Sequence, residues 1–196
     1  ATRRLDMRIN QTPRIGANIQ VKKFKYRHHR KDYTVTATVD RTLVAFFSNY
    51  PHTTYDVYFD APLSPGARNG IVSALKARVA GLSEKEAANV ILHFVQTAFE
   101  YQTDAVQFKR ERPLFPDETL FYPYSDCEDR AFLFSYLVRQ VLRLEIIGLH
   151  YPNHVATAVR FNEKIPGVFI RYNGHKYALC DPTYVNADAG QPMPKF

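Results

Sequence analysis

The chain has 196 residues, of which 45% are hydrophobic and 14% aromatic, with a formal net charge of +7 and two cysteines. That length and composition are enough for a folded core in one domain, or one domain with an N-terminal extension, and they exclude a disordered chain. No apolar run is long enough to span a membrane, no signal-peptide pattern is present, and two cysteines do not build a disulfide framework.

Residues 1–31 carry ten Lys and Arg, from Arg3 and Arg4 to Arg30 and Lys31, against the single acid Asp6. A strip of this kind suits a solvated sheet edge studded with basic residues, or a contact with an anionic envelope polymer. Nucleic acid is not an expected partner. Asp32 to Asp40 alternates apolar and polar residues, and Leu43–Tyr50 and Thr54–Asp60 also read as strands, so residues 1–61 are expected to form a β-rich basic region. It would pack on the rest of the chain or join it to a neighbour. His28-His29 and His52 have no partners at ligand spacing and read as solvated loop residues.

Pro62–Gly66 reads as a linker, and residues 67–196 as a second unit. Its first helix spans Ala67–Ala80, with Ile71, Leu75 and Val79 along one side. A stronger one spans Ser83–Tyr101: Ser83 and Glu86 form a capping box, and Ala87, Val90, Ile91, Phe94, Val95 and Ala98 make the apolar stripe. Gln102–Pro123 is a long loop rich in charge, proline and aromatics, and loops of that length are commonly functional. Ser125 and Glu128 then form a second capping box, opening a helix from about Asp126 to Leu142 with Ala131, Phe134, Val138 and Val141 on its inward face. Leu144–Tyr151 and His154–Phe161 are strands. Val168–Tyr172, Asn173-Gly174 and His175–Asp181 form a hairpin with a type I′ turn signal. C-x-x-C, H-E-x-x-H, P-loop and G-x-G-x-x-G patterns are absent, so zinc and nucleotide sites have no motif behind them.

The chemistry concentrates at Tyr124-Ser125-Asp126-Cys127-Glu128-Asp129-Arg130-Ala131. Cys127 falls in the first turn of a helix, on its inward face, where unpaired amides and the dipole favour an anion. That setting lowers a thiol pKa from about 8.5 towards roughly 3.5–7.5. Asp126, Glu128 and Asp129 oppose it, and their side-chain directions decide the balance. His154 begins one strand and Asp181 ends another, before Pro182. If those strands are antiparallel neighbours, the carboxylate can hold the imidazole in the tautomer that a nucleophilic thiol requires. Cys180 reads as a small buried residue, pointing to the opposite sheet face from Asp181.

The strings DCEDRA, HVATAV and YALCDPTY resemble, in content and order, the transglutaminase-like cysteine protease superfamily, in the bacterial branch with a DCED-type nucleophile motif. The resemblance runs from about Leu82 to Tyr184. It implies an α+β fold with a papain-like, transglutaminase-like core: a helix carrying Cys127 packed on an antiparallel sheet carrying His154 and Asp181. It assigns Cys127 as nucleophile, His154 as general base and acid, and Asp181 as the orienting acid. The oxyanion hole would use the Cys127 amide and a side chain, with Gln107 the first choice and Gln102, Tyr122 and Tyr124 alternatives. Some bacterial members bind calcium through the acids flanking the nucleophile, here Asp126 and Glu128. A capping-box role for Glu128 competes with that use, so no cofactor or metal is assigned and calcium stays open.

The expected function is a cysteine-dependent acyl hydrolase, a peptidase acting on protein or peptide substrates. The alternatives are a transglutaminase using the same triad and a non-catalytic binding module. By analogy with bacterial relatives the location is extracytoplasmic or periplasmic, and the Ala start suggests a mature or trimmed chain with a targeting segment upstream.

Overall fold

A computed structural model describes residues 6–15 and 17–194. Arg3 and Arg4 of the basic strip lie outside the described residues. The fold is α+β. Strands β1 (Ile19–His28) and β2 (Lys31–Asp40) form an antiparallel hairpin. Helices α1 (Arg41–Ser48), α2 (Tyr55–Asp60), α3 (Pro65–Val79) and α4 (Glu84–Ala98) follow.

The region expected to be β-rich therefore holds one hairpin and two helices. Leu43–Tyr50 and Thr54–Asp60 are corrected from strand to helix. Asp40 caps α1 by accepting the Thr42 amide, and Leu43, Val44 and Phe47 then fall on one buried face. Val57 and Tyr58 of α2 meet Phe115 and Phe132 in an aromatic cluster. β-branched and aromatic residues suggested strands, but what they bury against decided the backbone.

The hairpin alternates as expected. Phe24, Tyr26, Val35, Ala37 and Val39 face inward and join the same hydrophobic cluster as α3, α4 and the helix that carries Cys127. Lys23, Lys25 and Arg27 are exposed, while the Lys22 ammonium donates to the Phe121 carbonyl. Gly70 lets α3 lie against β2, because a Cβ there would meet the Ala37 Cα at 2.7 Å.

Between α4 and the helix that carries Cys127, the expected loop contains β3 (Glu100–Tyr101), α5 (Asp104–Gln107), α6 (Pro116–Phe121) and β4 (Tyr124–Ser125). β3 and β4 pair in parallel, with Tyr101 opposite Ser125. Helix α7 (Cys127–Leu137) continues through a π-helical turn (Val138–Leu142), so the helix expected to run to Leu142 changes hydrogen-bond pattern at Val138.

The C-terminal sheet consists of β5 (Glu145–Tyr151), β6 (His154–Arg160), β7 (Phe169–Tyr172) and β8 (His175–Cys180), ordered β5-β6-β8-β7 and antiparallel throughout. Asn173 and Gly174 have φ of 48° and 78°, as the I′ turn requires. β6 is central and buried along nearly its whole length, with Cys127 and Ala131 of α7 packed against its Val155. Both cysteines are buried and free. No helix among the described residues is long and apolar enough to cross a membrane.

Candidate active site

The turn that carries Cys127 is anchored from below. Arg130 is 1% exposed, and its guanidinium donates to Ser125 Oγ (3.0 Å), the Gln96 carbonyl (3.4 Å) and the Phe99 carbonyl (2.8 Å). Those two carbonyls lie at the C-terminal end of α4, where a cation is favoured. Ser125 is thus a buried acceptor for Arg130, and the expected Ser125–Glu128 capping box does not form. Asp126 is the N-cap, and Asp129 accepts its amide at 3.3 Å. A second Asp129 oxygen accepts the Leu114 amide at 2.7 Å, tying the loop after α5 to α7.

Released from capping, the Glu128 carboxylate faces the thiol: Cys127 Sγ donates to Glu128 Oε2 at 3.0 Å. The Val155 amide hydrogen-bonds the sulfur from the other side. Burial, reinforced by Glu128, pushes the Cys127 thiol well above its ordinary range. The two opposing influences at the helix start are therefore decided for the neutral thiol. Two tyrosines register the same field. Tyr101 is pushed up to about 12 by burial and then by Cys127, Asp126 and Glu128, and Tyr55 is raised by burial and then by Glu128 and Cys127.

His154 and Asp181 meet as expected. His154 opens β6, next in sequence to the residue whose amide holds the sulfur, and its Nε2 lies 2.9 Å from Asp181 Oδ2. Both side chains are about 5% exposed or less. Asp181 follows β8, and its Oδ1 accepts the amides of Thr183 (2.9 Å) and Tyr184 (3.3 Å), so the D-P-T-Y run is a turn wrapped around the carboxylate. An Nε2–H given to Asp181 puts the His154 lone pair on Nδ1, the atom a thiol proton would go to.

One positioning residue escaped the sequence reading. Gln96 of α4 is 2% exposed; its Nε2 donates to the carbonyls of Asp181 (3.0 Å) and Ala187 (3.1 Å), and its Oε1 accepts the Asn186 amide (3.0 Å). Together with Asn89, which accepts the Ala189 amide at 2.9 Å, it holds the segment after β8 against α4. A glutamine among Phe94, Val95 and Ala98 was the available signal, a polar residue on an apolar face.

The oxyanion candidates are distributed around the turn. Gln107 closes the short helix α5, half-buried, with its amide on the Thr103 carbonyl, rather than lying in an extended stretch. Gln102 donates its amide to the Ser125 carbonyl at 3.3 Å, two residues from the thiol. Tyr122 packs its ring against Phe108 and Phe121, and Tyr124 opposes Glu100 in the β3–β4 pair.

Carboxylates crowd the other side of the Cys127 turn. Oxygens of Asp104, Asp126 and Asp129 lie within 4.8 Å of one another, as do those of Asp104, Glu111 and Glu128. Burial pushes Asp104 up to about 6, and burial with neighbouring acids raises Asp126 and Asp129. Asp126 is 6% exposed, yet its Oδ1 has no hydrogen-bond partner among the described residues. So dense a set requires protons or a cation for neutrality. Compared with family models, with curated proteins and with solved structures, the chain matches none.

Proposed function

We propose that this protein is a cysteine-dependent acyl hydrolase, a peptidase with a papain-like, transglutaminase-like core. The observation that carries the reading is the 2.9 Å contact of His154 Nε2 with Asp181 Oδ2, one residue before Val155, whose amide hydrogen-bonds the Cys127 thiol in the first turn of α7. His154 Nδ1 takes the thiol proton as sulfur attacks the substrate carbonyl carbon. The oxyanion is received by the Cys127 amide and by a second donor, Gln107 or Gln102. The imidazolium then protonates the leaving amine as the C–N bond breaks. Water, deprotonated by His154, cleaves the thioester and returns the thiol.

Calcium fits the acidic side of this site. Two oxygen sets that share Asp104, one with Asp126 and Asp129 and one with Glu111 and Glu128, offer the hard ligands such an ion would take, and Asp126 Oδ1 is unpartnered among the described residues. Bound there, it supplies positive charge that offsets the carboxylates holding the thiol neutral. Glu128 takes no part in the cap, which falls to Asp126 and Asp129, so only the thiol's hydrogen bond competes for its carboxylate. In this reading, the activity is extracytoplasmic and acts on protein or peptide substrates, as the resemblance implies.

The test is cleavage of a mixed peptide library, with calcium present, read by mass spectrometry. The wild type should cleave and Cys127→Ala should not, with an unchanged circular dichroism spectrum. Undiminished cleavage by Cys127→Ala rejects the assignment. Incorporation of an added primary amine in place of hydrolysis would identify a transglutaminase instead.

A further inference from the structure

The hairpin turn between β1 and β2 brings histidines to α4. His28, the last residue of β1, is 4% exposed, and His29 and Arg30 make the turn with φ of 47° and 62°. The reading of His28-His29 as solvated loop residues is corrected for His28. Its Nδ1 lies 2.7 Å from Nδ1 of His93 on α4. His93 Nε2 in turn lies 3.1 Å from Asp188 Oδ1 and near the Ala187 carbonyl, with no hydrogen bond aligned to it among the described residues.

Two Nδ1 atoms in contact require one proton and one lone pair. The Asp188 carboxylate, though not aligned as a hydrogen bond, puts negative charge beside His93 Nε2, which favours the proton there and leaves Nδ1 to accept. His28 must then donate from Nδ1, which leaves its Nε2 with the lone pair. This is how outer partners set the tautomer of a metal-ligating histidine. On the solvent side, the His29 and His28 rings are 4.0 Å apart between centroids, and His29 Nε2 lies 3.4 Å from Glu86 Oε2. A ring nitrogen of His28, one of His29 and a carboxylate oxygen of Glu86 all lie within 4.8 Å of one another.

We propose that His28, His29 and Glu86 form a site for one divalent late-transition-metal ion of the zinc class, with His93 and Asp188 as the relay that orients His28. Two imidazoles and one carboxylate match such an ion, whereas the all-oxygen set beside Cys127 matches a hard one. Zinc ligand bonds of about 2.0–2.2 Å need the three donors somewhat closer together than 4.8 Å. His29 and Glu86 can close that gap because their side chains are 60% and 44% exposed. Water would complete the coordination. A filled site would pin the hairpin turn to α4, on the same helix whose Asn89 and Gln96 hold the segment after Asp181. The inference is independent of the peptidase reading.

The test uses tag-free full chain carrying Cys127→Ala, so that no thiolate competes. Zinc chloride is titrated by calorimetry, and cobalt(II) by visible absorption. One ion per chain is expected, with cobalt bands of a nitrogen–oxygen site, unaffected by millimolar calcium. His29→Ala and Glu86→Gln, both at exposed side chains, should each weaken zinc binding about tenfold or more and remove the rise in Tm that zinc produces. No binding at 100 μM zinc, or binding unchanged in both variants, overturns the site.

Discussion

The Cys127 thiol and the Glu128 carboxylate, neighbours in the chain, meet at 3.0 Å, so the thiol donates its hydrogen bond to the very next residue. A buried thiol held in this way has little thiolate near neutral pH. Glu128→Gln removes the charge and should move the pH midpoint of iodoacetamide labelling at Cys127 down by about one unit or more in calcium-free buffer, given the size of close charge–charge interactions. Peptide mapping against pH gives the answer, and an unmoved midpoint would mean that Glu128 does not control the thiol.

Calcium should act on the same thiol through the acidic set. Added to chelator-treated protein, it should speed alkylation of Cys127 at pH 7 and raise Tm by mass action. Asp126→Asn, nearly isosteric at the buried unpartnered oxygen, should abolish both effects. Equal responses in wild type and Asp126→Asn would place any bound calcium elsewhere.

In the proposed peptidase, Gln96 would act through Asp181, whose carbonyl it holds, rather than on substrate. Gln96→Leu would strand two carbonyls and one amide, and should cost about 3 kcal/mol of stability. Because the defect is in holding the Asp181 turn, kcat should fall while KM changes little. A loss of stability with unchanged kcat would reduce Gln96 to a packing role.

Buried carboxylates set the sign of the pH dependence. Asp104 and Asp117 are pushed by burial up to about 6 each, from an ordinary value of 3.8. Between those values the folded state keeps protons that the unfolded chain has lost, so stability falls as pH rises. The contribution is complete below about pH 4 and gone above about pH 6. Calcium-free protein should therefore have a higher Tm near pH 5 than at pH 8, and Asp104→Asn should flatten the slope. A Tm that rises towards pH 8 would refute this balance.

Local pattern carried much of the fold. The apolar stripe of α4, the Asn173-Gly174 turn, and the order of Cys127, His154 and Asp181 on helix, strand and strand end were legible, since each depends on residues close in sequence. The helices α1 and α2 were not. Tyr55, Val57 and Tyr58 fit a strand by type and became helical where Phe115 and Phe132, far along the chain, offered a surface to bury them.

The amino-acid sequence by itself determined that a cysteine would open a helix among acids, and that a histidine and an aspartate would follow on strands able to pair. Tertiary structure decided which way those acids point. It moved the capping from Ser125 to Asp126, turned Glu128 onto the thiol, set Gln96 under Asp181, and brought His93 to His28 across 65 residues. The division has one cause. Spacing along a helix or strand fixes which face a residue occupies, but the direction of a side chain and its long-range partner depend on what the rest of the chain packs against that face.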